Sequence, residues 1–189
     1  MGKSSSGKDT IYSRIKADER LNLQTVVMYT TRPMRAGETD GVTYNFTDEK
    51  GLEEFESSGN IIERRDYNTV KGLWTYFTAD DGQIDIKGEA RYIVIGTLQA
   101  YERFGAYFGK EHIVPIYIEV DDVTRIKRAL EREERQQQPQ IAEMCRRYLA
   151  DEKDFSEEAL KAAGIDKRYR NDELESCIGQ IMSDIVSDL

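Results

Sequence analysis

The sequence predicts an α/β fold of three layers, a parallel sheet covered by helices, with a small antiparallel insertion and a helical lid. Three observations predict it. A glycine-rich loop, Gly2-Lys3-Ser4-Ser5-Ser6-Gly7-Lys8-Asp9-Thr10, runs straight into a helix-forming segment. Three apolar runs are continuous rather than alternating, as strands buried on both faces are. Helix-forming stretches follow the later two of these runs, and alternation of strand and helix implies a parallel sheet.

The loop is the first element. Its G-x-x-x-x-G-K spacing lets backbone N–H groups curl around an anionic phosphate, with Lys8 reaching the outer phosphates. Such a loop leads into a helix whose N-terminus adds its own pull on anions, and Thr10–Ile15 is that helix. Gly2, Ser4, Ser5, Ser6, Gly7, Lys8, Asp9 and Thr10 are therefore the candidate nucleotide phosphate contacts. Asp9 stands where Ser or Thr usually holds Mg²⁺; Thr10 supplies a hydroxyl one residue later, and Asp9 a carboxylate, so both are candidate metal ligands. Without its context the same segment reads as a flexible Gly/Ser tail; the helix behind it argues for the loop.

The strands come next: Leu23–Thr31, Tyr92–Thr97 and Ile113–Val120, each rich in β-branched or apolar residues. Helices are expected at Leu98–Phe108 and at Val123–Arg135, the latter capped by Asp121 or Asp122. A last amphipathic helix over Asp172–Leu189 places Leu174, Ile178, Ile181, Ile185 and Leu189 on one stripe, most simply for core packing. Between Pro33 and Gly88 aromatics, glycines and charges mix in short segments, which reads as an antiparallel insertion carrying a binding surface. From Glu131 to Phe155 charges dominate, and two solvated helices joined at Gln136–Gln140 read as a mobile lid. One domain follows: a core of 1–32, 89–130 and 156–189, an insertion over 33–88, and a lid over 131–155.

Composition narrows the function. The chain has 189 residues, 39% hydrophobic and 33% charged, with a net charge of −9. That balance argues against a general nucleic-acid surface, which needs excess Lys and Arg. It leaves room for arginines gathered in one cleft around a phosphorylated small molecule. Cys145 and Cys177 lie far apart without C-x-x-C spacing, so a disulfide framework or zinc site is not expected. His112 has no partners that suggest a ligand set. No apolar stretch is long enough to span a membrane and no signal peptide is visible, which makes the cytoplasm the expected compartment.

A second motif is far more specific when joined to the first. Thr30-Thr31-Arg32-Pro33-Met34-Arg35-Ala36-Gly37-Glu38, followed by Asp40-Gly41-Val42-Thr43-Tyr44-Asn45-Phe46, closely resembles the guanylate kinase signature T-T-R-x-x-R-x-G-E-x-x-G-x-x-Y-x-F. With the phosphate loop ahead of it, order and spacing are similar to that family over most of the chain. The resemblance implies a P-loop NTPase-type parallel sheet with an NMP-binding insertion and a lid. It implies transfer of the γ-phosphoryl group of ATP to GMP, giving ADP and GDP, with Mg²⁺ as cofactor and ATP and GMP as partners.

Carried over residue by residue, the resemblance assigns Arg32 and Arg35 to the GMP phosphate. Two guanidiniums three residues apart after a strand can surround one phosphate with bidentate bonds. Tyr44 matches the tyrosine on the same phosphate. Glu63 matches the carboxylate that accepts from guanine N1–H and its amine, an acceptor-only group suited to that donor edge. Trp74 and Tyr76 fall where the family has a tyrosine-glycine-serine stretch, and are imperfect counterparts. Arg132, Arg135 and Arg147 resemble lid arginines that neutralise transition-state charge, with Lys8 the fourth catalytic candidate. Asn171 lines up with an asparagine leading into the adenine-side loop. Plainer readings stand beside these: surface charges for Arg32 and Arg35, packing for Tyr44 and Trp74, an ion pair with Arg64 or Arg65 for Glu63, solvated helices for the lid, and a helix cap for Asn171.

The resemblance also departs in places. Val94-Ile95-Gly96-Thr97 carries no carboxylate where the family has D-x-D, and Met28 stands where a guanine-contacting serine is expected. The strand that the family places ahead of the phosphate loop is not in the sequence, and a start codon placed too late is the expectation. Two other functions fit the same residues: a non-catalytic guanylate kinase-like binding module, and a kinase of this fold acting on another small phosphorylated acceptor.

Overall fold

The structure, a computed structural model, describes residues 1–35, 37–69 and 72–187. Ala36 of the second motif and Leu189 of the last helix's stripe lie outside the described residues. The chain divides into two compact units, Met1–Asn22 with Ile95–Glu102 and Val114–Leu189, and Leu23–Val94 with Arg103–Ile113.

The first unit opens with the phosphate loop and helix α1 (Lys8–Lys16), whose Ile11 and Ile15 are buried. Strands β7 (Tyr117–Glu119) and β8 (Arg168–Arg170) pair in parallel, Tyr117 with Arg168 through Glu119 with Arg170. The backbone of Met1 runs beside β7, donating to Ile116 O at 2.7 Å and accepting from Ile118 N at 2.9 Å. Strand β7 is shorter than the apolar run around it, because Pro115 has no N–H to give a ladder. Asp121 accepts from Thr124 N and starts α4 (Asp122–Glu134). Then come α5 (Ile141–Asp154), α6 (Glu157–Ala163) between its Ser156 cap and a left-handed Gly164, and α7 (Leu174–Ser187). Leu98, Tyr117, Phe155, Leu160, Ala163 and Ile165 form one core cluster, with the Tyr117 and Phe155 rings stacked 5.7 Å apart. On α7, Cys177 and Ile181 are buried while Leu174, Ile178 and Ile185 are partly covered, so the predicted stripe faces inward.

The second unit holds β1 (Leu23–Thr25), β2 (Tyr29–Thr30), β3 (Asn45–Phe46), α2 (Glu49–Ser58), β4 (Ile61–Thr69), β5 (Gly72–Ala79) and β6 (Arg91–Ile93). Helix α3 (Leu98–Phe108) has the bounds the sequence predicts, and its later part belongs to this unit. The expected strand over 23–31 is two strands. Strand β1 pairs in parallel with β6, whereas β2 pairs antiparallel with β5 and parallel with β3. The break is held by side chains: Gln83 Oε1 accepts from Val27 N at 2.8 Å, and Asn45 Nδ2 donates to Val27 O at 3.2 Å. These bonds replace the ladder where the chain leaves one sheet for another.

The four-stranded sheet runs β3-β2-β5-β4. Its β4–β5 hairpin has the antiparallel form expected of the insertion. One face buries Phe77 and Ala79 with Leu52 of α2, packed against Tyr29, Phe55 and Ile61. A register shift between Ile61 and Glu63 moves the alternation by one residue, placing Glu63 opposite Thr78 and Arg65 opposite Tyr76. The other face therefore carries Glu63, Arg65 and Tyr67 against Thr78, Tyr76 and Trp74.

Candidate active site

The loop Gly2–Thr10 has the build of an anion cradle. Gly7 begins α1 with φ 85° and caps it with no side chain, which leaves the first-turn N–H groups without side-chain acceptors. Asn171 is buried and donates from Nδ2 to Ser6 O at 2.8 Å, while its own N–H goes to Glu119 O at 2.8 Å. It does not cap α7; Glu173 does, accepting from Ser176 N at 2.7 Å. Ser5 Oγ, Ser6 Oγ and Asn171 Oδ1 are buried with no hydrogen-bond partner. Unpaired buried polar atoms are costly, and two of these three lie in the loop and the third on the residue packed behind it. Lys8 is half-buried, whereas Asp9 and Thr10 are exposed on the first turn of α1.

A second ring of contacts, unforeseen from the sequence, grips the first half of the loop. Ser4 N donates to Asp151 Oδ2 at 2.7 Å, and Lys3 Nζ pairs with Glu152 at 2.9 Å. Arg125, only 1% exposed, bonds Asp122 at 2.8 Å, Glu152 and Ser4 O, and lies 4.8 Å from the Tyr148 ring centroid. A buried guanidinium needs such partners.

The lid arginines differ among themselves. Arg132 and Arg135 are exposed, with Arg135 3.9 Å from Glu131. Arg147 lies 3.8 Å from Glu133, a buried carboxylate that also accepts from Gln140 N at 2.9 Å, and its buried Nε makes no hydrogen bond, with Glu143 3.7 Å away.

In the second unit the structure brings the six acceptor candidates together. Arg32 is 3% exposed. It donates to Tyr76 Oη at 3.0 Å, to Pro33 O at 2.8 Å and, as a fork, to Glu38 at 2.7 and 2.9 Å. Its ring neighbours are Tyr44 and Phe46, each 5.5 Å from Cζ. Arg35 is exposed and lies 5.9 Å from the Trp74 ring, and its backbone N–H donates to Glu38 at 2.7 Å. Glu38 thus ties Arg32 to the backbone of Arg35, and the Arg32 bond followed by the Arg35 N–H holds its carboxyl below the usual range. Tyr44 meets Tyr76 edge to face at 5.6 Å, and burial pushes its phenol up, keeping it a donor. Glu63 is 3% exposed, with Arg65 and Thr78 on its carboxylate. Of its two plainer pairings, the one with Arg65 is present; Arg64 turns to Asp66 and Glu56.

Three comparisons bear on this geometry. The family model described as Guanylate kinase matches residues 1–185. The chain belongs to the guanylate kinase family. Among curated relatives, the guanylate kinase of Mycoplasmoides gallisepticum is 36% identical over 66 residues, 35% of this chain and 34% of that protein. The guanylate kinase of Anaplasma phagocytophilum is 28% identical over 128 residues, 67% of this chain and 59% of that one. The chain thus spans about a third to three fifths of the length of these guanylate kinases. A crystal structure of guanylate kinase from Anaplasma phagocytophilum superposes with a TM-score of 0.64 at 18% identity, covering 99% of this chain and 82% of that one. That likeness shows the α/β P-loop kinase fold.

Within this guanylate kinase fold, Thr78, Arg125, Asp151 and Glu152 are the site neighbours that sequence reading missed, and Arg65 entered it only as an ion-pair partner of Glu63. Thr78 was legible only through its register with Glu63. The others carried no local signal.

Proposed function

We propose that this chain transfers the γ-phosphoryl group of ATP to GMP, giving ADP and GDP. The observation that carries the reading is the acceptor face, where Arg32, Arg35, Tyr44, Glu63, Trp74 and Tyr76 converge from separate elements. Family membership supports it. An oxygen of the GMP phosphate attacks the γ-phosphorus as the bond from that phosphorus to the β,γ-bridging oxygen breaks, and ADP leaves. No covalent enzyme intermediate is needed, because catalysis is positioning and charge neutralisation.

Each residue has a role in that scheme. Gly2, Ser4, Ser5, Ser6, Gly7 and Thr10 line the ATP phosphates, Ser4 through its hydroxyl because its amide goes to Asp151, Lys8 takes the outer phosphates, and Asn171 holds the loop from behind. Arg32, Arg35, Tyr44 and Tyr76 hold the acceptor phosphate, and Glu63 and Trp74 the base. Arg132, Arg135 and Arg147 of the lid neutralise the charge on the migrating group. Mg²⁺ fits the first turn of α1, where Asp9 and Thr10 supply exposed oxygen ligands. Among the described residues no group of three or more His, Cys, Asp and Glu could hold a metal. The ion would neutralise phosphate charge. We extend the reading to a single domain with its insertion over 33–88 and lid over 131–155, working in the cytoplasm. Among the described residues, no helix is long and apolar enough to cross a membrane.

ADP release with ATP–Mg²⁺ and GMP tests the proposal directly. Turnover that Lys8→Ala abolishes supports it. GMP binding without ADP release, from protein that is folded, refutes the kinase and leaves a binding module.

A further inference from the structure

On the acceptor face the Glu63 carboxylate is already engaged. Oε1 accepts from Thr78 Oγ1 at 3.0 Å and from Arg65 Nη2 at 3.0 Å, while Oε2 accepts from Arg65 Nε at 2.9 Å. Each carboxylate oxygen has two lone pairs. Oε1 is therefore filled and Oε2 keeps one, so the group accepts one further N–H but not two.

The guanidinium beside it has the opposite surplus. Of its five N–H donors, Nε and one on Nη2 go to Glu63, and the other on Nη2 lies near Met28 Sδ, with Nη2 to Sδ 3.2 Å. The two on Nη1 have no partner among the described residues. A thioether is a weak acceptor. The side chains of Arg65 and Glu63 are only 15% and 2% exposed, yet Nη1 keeps contact with solvent, so it is a donor that a ligand can reach. Arg65 shares its face with Tyr76, its cross-strand partner, and so belongs to the same surface as the phosphate contacts.

A ligand that satisfies this inventory offers a single ring N–H beside a carbonyl, the edge that a 6-oxopurine presents at N1 and C6 and that uracil shares at N3 and C4. Adenine and cytosine place an amine where the carbonyl is wanted, setting donor against donor. A 2-amino group, by contrast, finds no lone pair reserved for it. We propose that Arg65 is a specificity-determining residue, which makes the site read the 6-oxo and N1–H edge of a purine and ignore the 2-amino group. A hypoxanthine nucleotide is then accepted as readily as a guanine one. The inference rests on reading this face as the monophosphate site.

The test is kcat/KM for GMP, IMP, AMP and CMP on the wild-type chain and on Arg65→Ala. IMP within about tenfold of GMP is expected, with AMP and CMP at least about a hundredfold worse. In Arg65→Ala the carboxylate regains its lone pairs, and the preference for GMP over IMP should rise by about tenfold or more. Wild-type discrimination against IMP beyond tenfold overturns the proposal, as does an unchanged GMP/IMP ratio in the variant. If Arg65→Ala does not fold, Arg65→Lys replaces it, because an ammonium cannot form the fork. No turnover with any nucleotide would defeat the kinase reading instead. Equilibrium binding of GMP and IMP would then decide the Arg65 proposal by the same ratios.

Discussion

Gly7 and Asn171 stand so close that no side chain fits between them: a Cβ on Gly7 would lie 2.4 Å from Asn171 Nδ2. The same Nδ2 donates to Ser6 O at 2.8 Å. Gly7 also has φ 85°, where a Cβ is strained whatever the space around it. The second glycine of the loop is therefore required twice over, by its own backbone and by the amide packed behind it.

Gly7→Ala should accordingly lower stability by about 2 kcal/mol and weaken ATP binding strongly. Asn171→Ala alone loses the Ser6 bond. In the double variant the clash disappears, so the two losses should sum to more than the combined cost. Urea melts of the four proteins measure this coupling; strict additivity would show that Asn171 moves aside freely.

Glu38 should make stability depend on pH in one window. Its carboxyl is held below the ordinary glutamate value, first by the Arg32 side chain and then by the Arg35 N–H. A lowered carboxyl contributes stability that is complete above the unfolded value and fades as pH falls through the folded one. The gap in urea midpoint between the wild type and Glu38→Gln should therefore stay constant from about pH 7 to 5 and close below about 4.5. A gap that persists at pH 3 would show that the amide fails for steric reasons instead.

Arg125 should matter more for shape than for charge. It is buried, and its carboxylate partners Asp122, Asp151 and Glu152 have side chains 54, 17 and 35% exposed. Arg125→Ala leaves a void and those acids without their cation, at about 3 kcal/mol, the low end for a broken buried pair because the acids reach water. Arg125→Met fills the space and should cost about 1 kcal/mol. Because Ser4 and Lys3 hang on the same acids, both variants should raise the KM for ATP while leaving that for GMP unchanged. Thermal melts and initial rates check the two halves separately.

What the sequence made legible divides along local and distant causes. Helix α3 and the Asp121 cap were readable because periodicity and capping are properties of neighbouring residues. Asp48 and Gly59, which bracket α2, were the same kind of signal and went unread amid the mixed texture around them. The break between β1 and β2 was not readable, since Gln83, far along the chain, makes it. Strand β8 is Arg168-Tyr169-Arg170, polar on both sides of one buried ring, and shows no apolar run. At the site, Arg32, Arg35 and Tyr44 came from motif spacing. Arg65 did not: it was read only as an ion-pair partner of Glu63, and its place opposite Tyr76 follows from the β4–β5 register.

Arg147 provides the sharpest test of the lid. Its Nη2 lies 3.8 Å from Glu133 and its buried Nε lies 3.7 Å from Glu143, too far for a hydrogen bond. Glu133 is 1% exposed and also accepts from Gln140 N at 2.9 Å, where α5 begins. The carboxylate thus holds both the cation and the start of its helix. If Arg147 acts on the migrating phosphoryl group, Arg147→Ala should cut kcat by about a thousandfold with little change in either KM. Glu133→Gln keeps a bond for Gln140 but not the charge, so Arg147 is less restrained and kcat should fall by only about tenfold. Arg135→Ala, on an exposed side chain, should fall between these two. Equal, small effects in all three would assign the lid arginines to solvation rather than to catalysis.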